Sequence, residues 1–201
     1  MKQPEAAVGT ITKAVLRRQA LACRNALGDE ARAGASNSIA ERAGEILASL
    51  RPDSVSLYSP IGSECDTCSL IAKAVLIGAE IGLPTIVDGA RILFRRYRPG
   101  DLLVAGKFGT KAPSERAPLM WPEVIVVPLV GFDRTGTRLG YGRGHYDRAI
   151  NTMREAGQRP KLLGIAFSVQ EVGTIPAEPH DVGLDWIVTE KGTLALAANE
   201  D

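Results

Sequence analysis

Four glycines and two arginines lie close together between residues 136 and 144. They are Gly136, Gly140, Gly142 and Gly144, with Arg138 and Arg143 among them. Residues without a Cβ let the backbone turn sharply and bring its N–H groups close to a ligand. A guanidinium can pair with two phosphate oxygens at once. This composition predicts a phosphate-binding loop, and a glycine-rich connection that binds nothing is the alternative.

The spacing of these glycines matches neither of the two common nucleotide-binding motifs. It is not the G-x-x-x-x-G-K-[ST] of P-loops, and it is not the G-x-G-x-x-G of Rossmann folds. The loop follows an apolar run at residues 124–130, which is typical of a strand buried on both faces of a sheet. Loops after buried strands often carry function, so the position also favours a binding role.

The order of residues 128–148 resembles the signature of the 5-formyltetrahydrofolate cyclo-ligase family, the methenyltetrahydrofolate synthetases. The matching pattern is Pro-Leu-Val-x-Phe-Asp-x-x-Gly-x-Arg-Leu-Gly-x-Gly-x-Gly-x-Tyr-Asp-Arg. The resemblance extends over residues 13–190. It implies ATP- and Mg2+-dependent closure of 5-formyltetrahydrofolate to 5,10-methenyltetrahydrofolate, with release of ADP and phosphate, through a phosphorylated formyl group.

The resemblance implies that ATP is held by the glycine-rich loop and the first helix. The residues implied for ATP are Lys13, Arg17, Arg138, Leu139, Gly140, Tyr141, Gly142, Arg143, Gly144, His145 and Tyr146. Arg143 is also implied as the catalytic residue. Charge alone would make Lys13 and Arg17 a solvated helix face, because like charges four residues apart repel. The family usually has Tyr where this chain has His145, so the role of that position is open.

An acidic loop precedes the third predicted helix. Its pattern, Tyr-x-x-x-x-x-Glu-x-Asp-Thr, resembles the folate-side loop of the family, in which an acid meets the donor edge of the pterin. The residues implied for the folate substrate are Tyr58, Ile61, Glu64, Asp66, Tyr141 and His145. Without the resemblance, Glu64 and Asp66 would be acids at a helix start, where they offset the partial positive charge of the helix end.

Asp147 and Asp181 match the carboxylates that hold Mg2+ in the family. The alternatives are a helix-start acid for Asp147 and a turn residue for Asp181. The strand around Leu163 should return the chain to the same sheet edge, where ligands collect in open α/β folds. A further stretch, residues 107–113, resembles the family's Phe-Gly-Ile-x-Glu-Pro, but Ala112 replaces the usual Glu.

The cysteines give a weak signal. Cys65 and Cys68 form a C-x-x-C, but no second pair follows, and the only histidines are His145 and His180. Small apolar residues near a helix start explain the pair better than zinc does. Three unevenly placed cysteines also fit a reducing cytoplasm rather than a disulfide framework.

Composition excludes several classes of partner. The chain has 201 residues and a formal net charge of +1, so it has no overall field to attract nucleic acid or an anionic membrane. No apolar run is long enough to span a bilayer, and the N-terminus lacks a signal-type apolar core. We expect a soluble, cytoplasmic monomer whose first ten residues form a loose arm.

The elements needed to position these groups alternate between helix and strand. Periodicity predicts helices at 11–27, 29–50, 66–78 and 145–156, and strands at 55–58, 81–87, 91–96, 124–130, 161–167 and 185–189. The expected fold is one three-layer α/β/α domain, residues 1–201, with a mostly parallel central sheet. Residues 98–122 should form a long, partly irregular segment. A related protein acting on another amide-like substrate, or a nucleotide-binding regulator without turnover, remains the alternative function.

Overall fold

The computed structural model describes residues 12–88, 91–178 and 181–196. The helices within them are α1 Lys13–Asn25, α2 Asp29–Leu50, α3 Cys68–Leu76 and α4 His145–Glu155. The strands are β1 Ser54–Ser56, β2 Glu80–Val87, β3 Arg91–Tyr97, β4 Val104–Ala105, β5 Lys111–Ala112, β6 Val124–Pro128, β7 Gly131–Phe132, β8 Arg138–Leu139, β9 Lys161–Ile165, β10 Trp186–Thr189 and β11 Gly192–Ala195. The predicted N-terminal arm and His180 lie outside the described residues.

Seven strands form the central sheet, in the order β11-β10-β9-β6-β1-β2-β3. Strands β10, β9, β6, β1 and β2 run parallel, whereas β11 and β3 pair antiparallel at the two edges. The predicted mostly parallel α/β sheet is confirmed. The mixed apolar and charged pattern of β3 predicts an outer strand, and β3 lies at one edge. The short antiparallel pairs β4–β5 and β7–β8 lie outside this sheet.

The central strand β6 shows why the sheet is covered on both faces. Its residues Val124 and Val126 pack into the core cluster that contains α2 and α3, and Ile125 and Val127 pack into the cluster that contains α4. Successive apolar residues are needed when neither face meets water. The three-layer arrangement therefore follows from the unbroken apolar run of this strand.

The helices agree with the predicted ranges to within a few residues, but some buried positions differ. Helix α2 begins and ends as predicted. Its apolar spacing predicts that Leu50 faces the core, but Leu47 is buried and Leu50 is 38% exposed. In α1, the apolar spacing predicts that Cys23 faces the core, but Cys23 is exposed and Arg24 is buried. Arg24 can be buried because its guanidinium donates hydrogen bonds to Ser63 and Tyr141 inside the protein.

The predicted irregular segment at residues 98–122 contains a small hairpin. Strands β4 and β5 pair antiparallel, and a single turn of 3₁₀ helix, Lys107–Gly109, connects them. Phe108 at this turn has a φ of 59°. Strands of two residues carry almost no alternation pattern, which is why periodicity did not find them. Strand β11 was also not predicted.

The connections that follow the parallel strands carry the predicted site residues. The acidic loop follows β1, the glycine-rich loop includes β8 and lies between β6 and α4, and Asp181 follows β9. Gln170 is buried and its amide nitrogen donates to the carbonyls of Leu129 (2.6 Å) and Val130 (2.9 Å), so the β9 connection is tied to the end of β6. None of the helices in the described segments is long and apolar enough to cross a membrane.

Candidate active site

A cleft of about 700 Å³ lies at the edge where these connections meet. Every residue predicted for the site except Asp66 lines it. Helix α1 contributes Lys13 and Arg17, the glycine-rich loop forms one wall, and the acidic loop forms a second wall. Residues separated by more than a hundred positions are therefore gathered in one cavity, large enough for a nucleotide or a heterocycle.

Asp66 takes the helix-start position rather than a place in the cleft. Its side chain is exposed on the surface, and its Oδ1 accepts from the backbone N–H of Cys68 at 2.7 Å, at the start of α3. This is the role that the sequence offered as the alternative to substrate binding.

The glycine-rich loop is braced by Arg17. The Nε of Arg17 donates to the carbonyl of Gly140 at 2.7 Å. Gly142 has a φ of 84°, and a Cβ added there would lie 3.5 Å from the Arg17 guanidinium. The loop ends at Gly144, the residue before α4, with a φ of 60°. The first N–H groups of a helix lack intrahelical partners and carry partial positive charge, so this end of the loop suits an anion.

Arg143 lies at the rim of the cleft against the β4–β5 hairpin. Its Cζ is 3.9 Å from the centroid of the Phe108 ring, a cation–π contact. The ring of His145 is also near, with 6.0 Å between the two ring centroids and a tilt of 34°. Phe108 is 47% exposed, and the sequence did not single it out as a site residue. An aromatic group from another element thus holds the predicted catalytic arginine.

Arg138 differs from the expectation of a second phosphate-facing arginine. It lies on β8 and is buried, with Nη1 donating to the carbonyl of Val182 and Nη2 donating to Oδ1 of Asp147 at 2.6 Å. Burial lowers the pKa of Arg138, and the charges of Asp147 and Asp181 oppose that change. Arg138 still lines the cleft, but its guanidinium is engaged in fixing Asp147.

Lys13 lies between two carboxylates. Its Nζ is 2.8 Å from Oε2 of Glu178 and 2.7 Å from Oδ2 of Asp181. Burial lowers the pKa of Lys13, but the hydrogen bonds and charges of Asp181 and Glu178 together outweigh burial and raise it. This part of the cleft therefore favours a cation. Glu178 was not predicted as a site residue.

The donor set on this side of the cleft fits Mg2+. Asp147 and Asp181 both line the cleft and supply the hard oxygen ligands that this ion prefers. Within the described residues, no group of three or more His, Cys, Asp and Glu side chains could hold a metal. Mg2+ commonly uses one or two carboxylates together with water and substrate phosphates, so two carboxylates beside the glycine-rich loop satisfy what this ion needs from the protein.

Glu64 is the buried carboxylic acid of the acidic loop. It is 8% exposed, and its two oxygens accept from the hydroxyl of Tyr141 (2.9 Å) and the backbone N–H of Ile61 (2.8 Å). Burial raises the pKa of Glu64, and these two hydrogen bonds oppose the increase. The acid is therefore held in one orientation at the cleft wall.

Apolar side chains also line the cleft. They are Pro84, Ile86, Ile92 and Val127, together with the ring of Tyr58, whose hydroxyl donates to the carbonyl of Cys65 at 3.2 Å. Burial raises the pKa of Tyr58 and of Tyr146, so both phenols are neutral at physiological pH. An apolar slot with one fixed acceptor suits a flat ring system that has N–H donors on one edge.

The side chains of Leu139, a predicted site residue, and of Cys65, which was not predicted for the site, have mainly structural roles. Leu139 is buried against Leu16 and Ala20 of α1, so its side chain fixes the helix to the loop. Cys65 is buried in the main core, and burial raises the pKa of its thiol to about 12. Cys68 is exposed at the start of α3, as its position in the sequence predicted.

Among charged and aromatic side chains, the structure adds four to the predicted set. Phe108, Lys111 and Glu178 line the cleft, and Arg24 hydrogen-bonds to the hydroxyl of Tyr141 at 2.9 Å. A weak signal existed for three of them. Phe108 and Lys111 lie in the stretch that resembles a family motif, and Glu178 lies three residues before Asp181. Arg24 lies on α1 together with Lys13 and Arg17, and its charge alone does not distinguish it from those two residues.

The sequence of this chain is similar to those of a known protein family. The chain matches the 5-formyltetrahydrofolate cyclo-ligase family over residues 10–190. A protein of Mycolicibacterium smegmatis named 5-formyltetrahydrofolate cyclo-ligase is 35% identical over 156 residues, which are 71% of this chain and 76% of that protein.

Two solved structures have a similar fold. The NMR structure of a 5,10-methenyltetrahydrofolate synthetase from Aquifex aeolicus has a TM-score of 0.75 and 30% identity, covering 95% of this chain and 96% of that one. A 5,10-methenyltetrahydrofolate synthetase structure from Mycoplasma pneumoniae has a TM-score of 0.73 at 24% identity, covering 90% and 99%, and supports the fold. Since the family match over residues 10–190 includes every residue that lines the cleft, this chain belongs to the 5-formyltetrahydrofolate cyclo-ligase family.

Proposed function

We propose that this protein converts 5-formyltetrahydrofolate to 5,10-methenyltetrahydrofolate in a reaction that consumes ATP and requires Mg2+. The observation that carries the proposal is the construction of a single cleft. One wall is a glycine-rich loop with basic side chains, and the other is an apolar slot with a fixed carboxylate, Glu64. These are the features needed to bring a phosphate donor and a folate together.

The nucleotide binds along the glycine-rich loop in this proposal. The loop ends at the N-terminus of α4, where backbone N–H groups favour phosphate. Arg143 at the rim is the side chain best placed to turn towards a transferred phosphoryl group. Its guanidinium lies on the face of the half-exposed Phe108 ring rather than in a buried ion pair such as that of Arg138. Lys13 and Arg17 approach the same loop from α1.

The folate ring occupies the slot beside Glu64. The carboxylate accepts hydrogen bonds from the N–H groups of the pterin, and Tyr58 and Ile61 contact the ring. This orientation directs the N5-formyl group towards the glycine-rich loop. The proposal is supported by the 2.9 Å hydrogen bond that joins Glu64 to Tyr141 of that loop and by the similarity of its segment to the family.

The chemistry proposed for this arrangement is phosphoryl transfer followed by ring closure. The formyl oxygen attacks the γ-phosphorus of ATP, and the bond to ADP breaks. N10 then attacks the activated formyl carbon, its proton is lost, and the C–O bond breaks to release phosphate. The protein contributes alignment and charge neutralisation rather than a nucleophile.

Asp147 and Asp181 are proposed to hold Mg2+ together with the phosphates. When bound, the ion neutralises phosphate charge during the transfer. The chain's own residues fix this site in advance: Arg138 orients Asp147, and Lys13 keeps Asp181 and Glu178 together.

Absorbance spectroscopy tests the proposed activity, because the methenyl product absorbs in the near ultraviolet and the substrate does not. We expect absorbance to rise only when protein, Mg2+, ATP and 5-formyltetrahydrofolate are all present, with one ADP formed per product. ATP hydrolysis without this folate would indicate another acceptor. Nucleotide binding without any turnover would indicate a regulator, and either result would contradict the proposal.

A further inference from the structure

Arg24 is a buried charged residue that lies just outside the cleft. It is 3% exposed and occupies the inward face of α1, eight residues after Leu16 and four after Ala20, both of which are buried and apolar. Periodicity would place another apolar residue at this position. A guanidinium here requires an explanation.

The guanidinium is connected to Glu64 by two routes. Its Nη2 donates to the hydroxyl of Tyr141 at 2.9 Å, and that hydroxyl donates to Oε1 of Glu64 at 2.9 Å. Its Nε donates to the hydroxyl of Ser63 at 3.0 Å, on the residue immediately before Glu64. The Arg24 Cζ also lies 5.8 Å from the centroid of the Tyr141 ring. Arg24 therefore holds both the loop that carries the acid and the hydroxyl that orients it.

This arrangement is not optimised for stability. The Nη1 of Arg24 is buried and has no hydrogen-bond partner among the residues that the structure describes. A buried donor without a partner is costly, and an apolar side chain of similar size often serves a purely structural role as well or better. The cost points to a role in the site.

Tyr141 also joins the two walls of the cleft. Its backbone belongs to the glycine-rich loop, next to the carbonyl of Gly140 that Arg17 holds, while its hydroxyl reaches the acid of the other wall. Helix α1 thus contacts the loop at Arg17 and the acid's network at Arg24.

We propose that Arg24 is a positioning residue for folate, acting through Tyr141 and Ser63 to hold the Glu64 carboxylate ionised and aimed at the N–H edge of the pterin. The inference rests on the proposed function. Arg24 itself does not touch the substrate, and the specificity it confers is for a heterocycle that presents adjacent N–H donors to one carboxylate.

Binding measurements on single and double variants test this role. The variants are Arg24→Met, Tyr141→Phe and the two combined, with Arg18→Met as the matched control because Arg18 is exposed on the same helix. Calorimetry gives the dissociation constants of 5-formyltetrahydrofolate and, separately, of a non-hydrolysable ATP analogue. Urea unfolding gives the stability of each protein.

We expect each single variant to weaken folate binding about tenfold, as for the loss of a charge-assisted hydrogen bond. The double variant should be no weaker than the worse single, because both changes break one chain of hydrogen bonds. In Arg24→Met, affinity for the nucleotide analogue should stay within about twofold, as in the Arg18→Met control. In turnover, KM for folate should rise more than kcat falls. Arg24→Met should not lower the stability, which separates positioning from a structural role.

Normal folate affinity in both single variants would overturn the inference while leaving the proposed function intact. Parallel losses of stability, nucleotide affinity and folate affinity in Arg24→Met would also overturn it, and Tyr141→Phe, which removes one hydroxyl, decides the matter if Arg24→Met does not fold. No binding of 5-formyltetrahydrofolate by the unmodified protein would overturn the proposed function, and this inference with it.

Discussion

Residues of one type have different roles in this cleft because their burial differs. The guanidinium of Arg138 is enclosed and bonded to Val182 and Asp147, whereas that of Arg143 lies on the exposed ring of Phe108. Five positions separate them in the sequence. Removing one partner of a buried ion pair lowers the free energy of unfolding much more than removing an exposed cation, because the remaining charge stays desolvated.

Alanine substitutions at the two positions should therefore affect different properties, stability at Arg138 and ATP binding at Arg143. Arg138→Ala should lower the free energy of unfolding by roughly 3 kcal/mol, at the low end for a buried pair because Asp147 is partly exposed. Arg143→Ala should leave stability unchanged and weaken ATP binding by about one to two decades. Urea unfolding and calorimetry measure the two quantities. Equal stability of the two variants would contradict the burial argument.

The segment between β8 and α4 depends on backbone shape as well as charge. Gly142 and Gly144 have φ values of 84° and 60°, in the left-handed region that disfavours side chains. Gly140 does not have a positive φ, and nothing lies within 4 Å of a Cβ added there. The glycines of one loop are therefore not equivalent.

Replacing Gly142 by Ala should cost about 1–2 kcal/mol of stability, because the left-handed backbone strains a residue with a Cβ. The new methyl group would also press on the Arg17 guanidinium, 3.5 Å away. Gly140→Ala is the matched control and should change stability by less than about 0.5 kcal/mol. Thermal unfolding of both variants checks this, and an unstable Gly140→Ala with a normal Gly142→Ala would show that the loop has another conformation.

At the scale of the whole molecule, the cleft is built from elements that lie far apart in the sequence. Lys13 and Asp181 are bonded although 168 positions separate them. The apolar packing on both faces of the sheet stabilises a structure that also contains buried charged groups, including Glu64 and Arg24. These groups reduce the stability that the rest of the fold supplies, which is common at functional sites.

Glu64 should therefore make stability depend on pH. Its pKa in the folded protein is raised above the ordinary 4.5, mainly by burial. As pH rises above about 4.5 the unfolded state loses its proton first, so the folded state becomes relatively less stable until it ionises as well. The unfolding free energy of the wild type should fall relative to Glu64→Gln over this window and then run parallel to it. Urea unfolding at several pH values measures the difference, and a constant difference would mean that burial does not perturb this carboxyl.

Local chemistry and periodicity were sufficient for most of the fold. The unbroken apolar run of β6 predicted an inner strand, and the pattern of α2 predicted both of its ends. The composition of the glycine-rich loop predicted a binding site, and the resemblance predicted the residues that the structure gathers around it. These properties depend on neighbouring residues or on a motif order that the chain itself displays.

The partners of the charged groups were decided only by tertiary structure. The sequence did not indicate that Arg138 would hold Asp147, that Glu178 would share Lys13, or that Phe108 would cover Arg143. Each pair joins side chains from elements whose relative position depends on how the layers pack. A charged residue has the same identity whether it faces water, a phosphate or a buried carboxylate, and only its desolvation and the distances to its partners distinguish these roles.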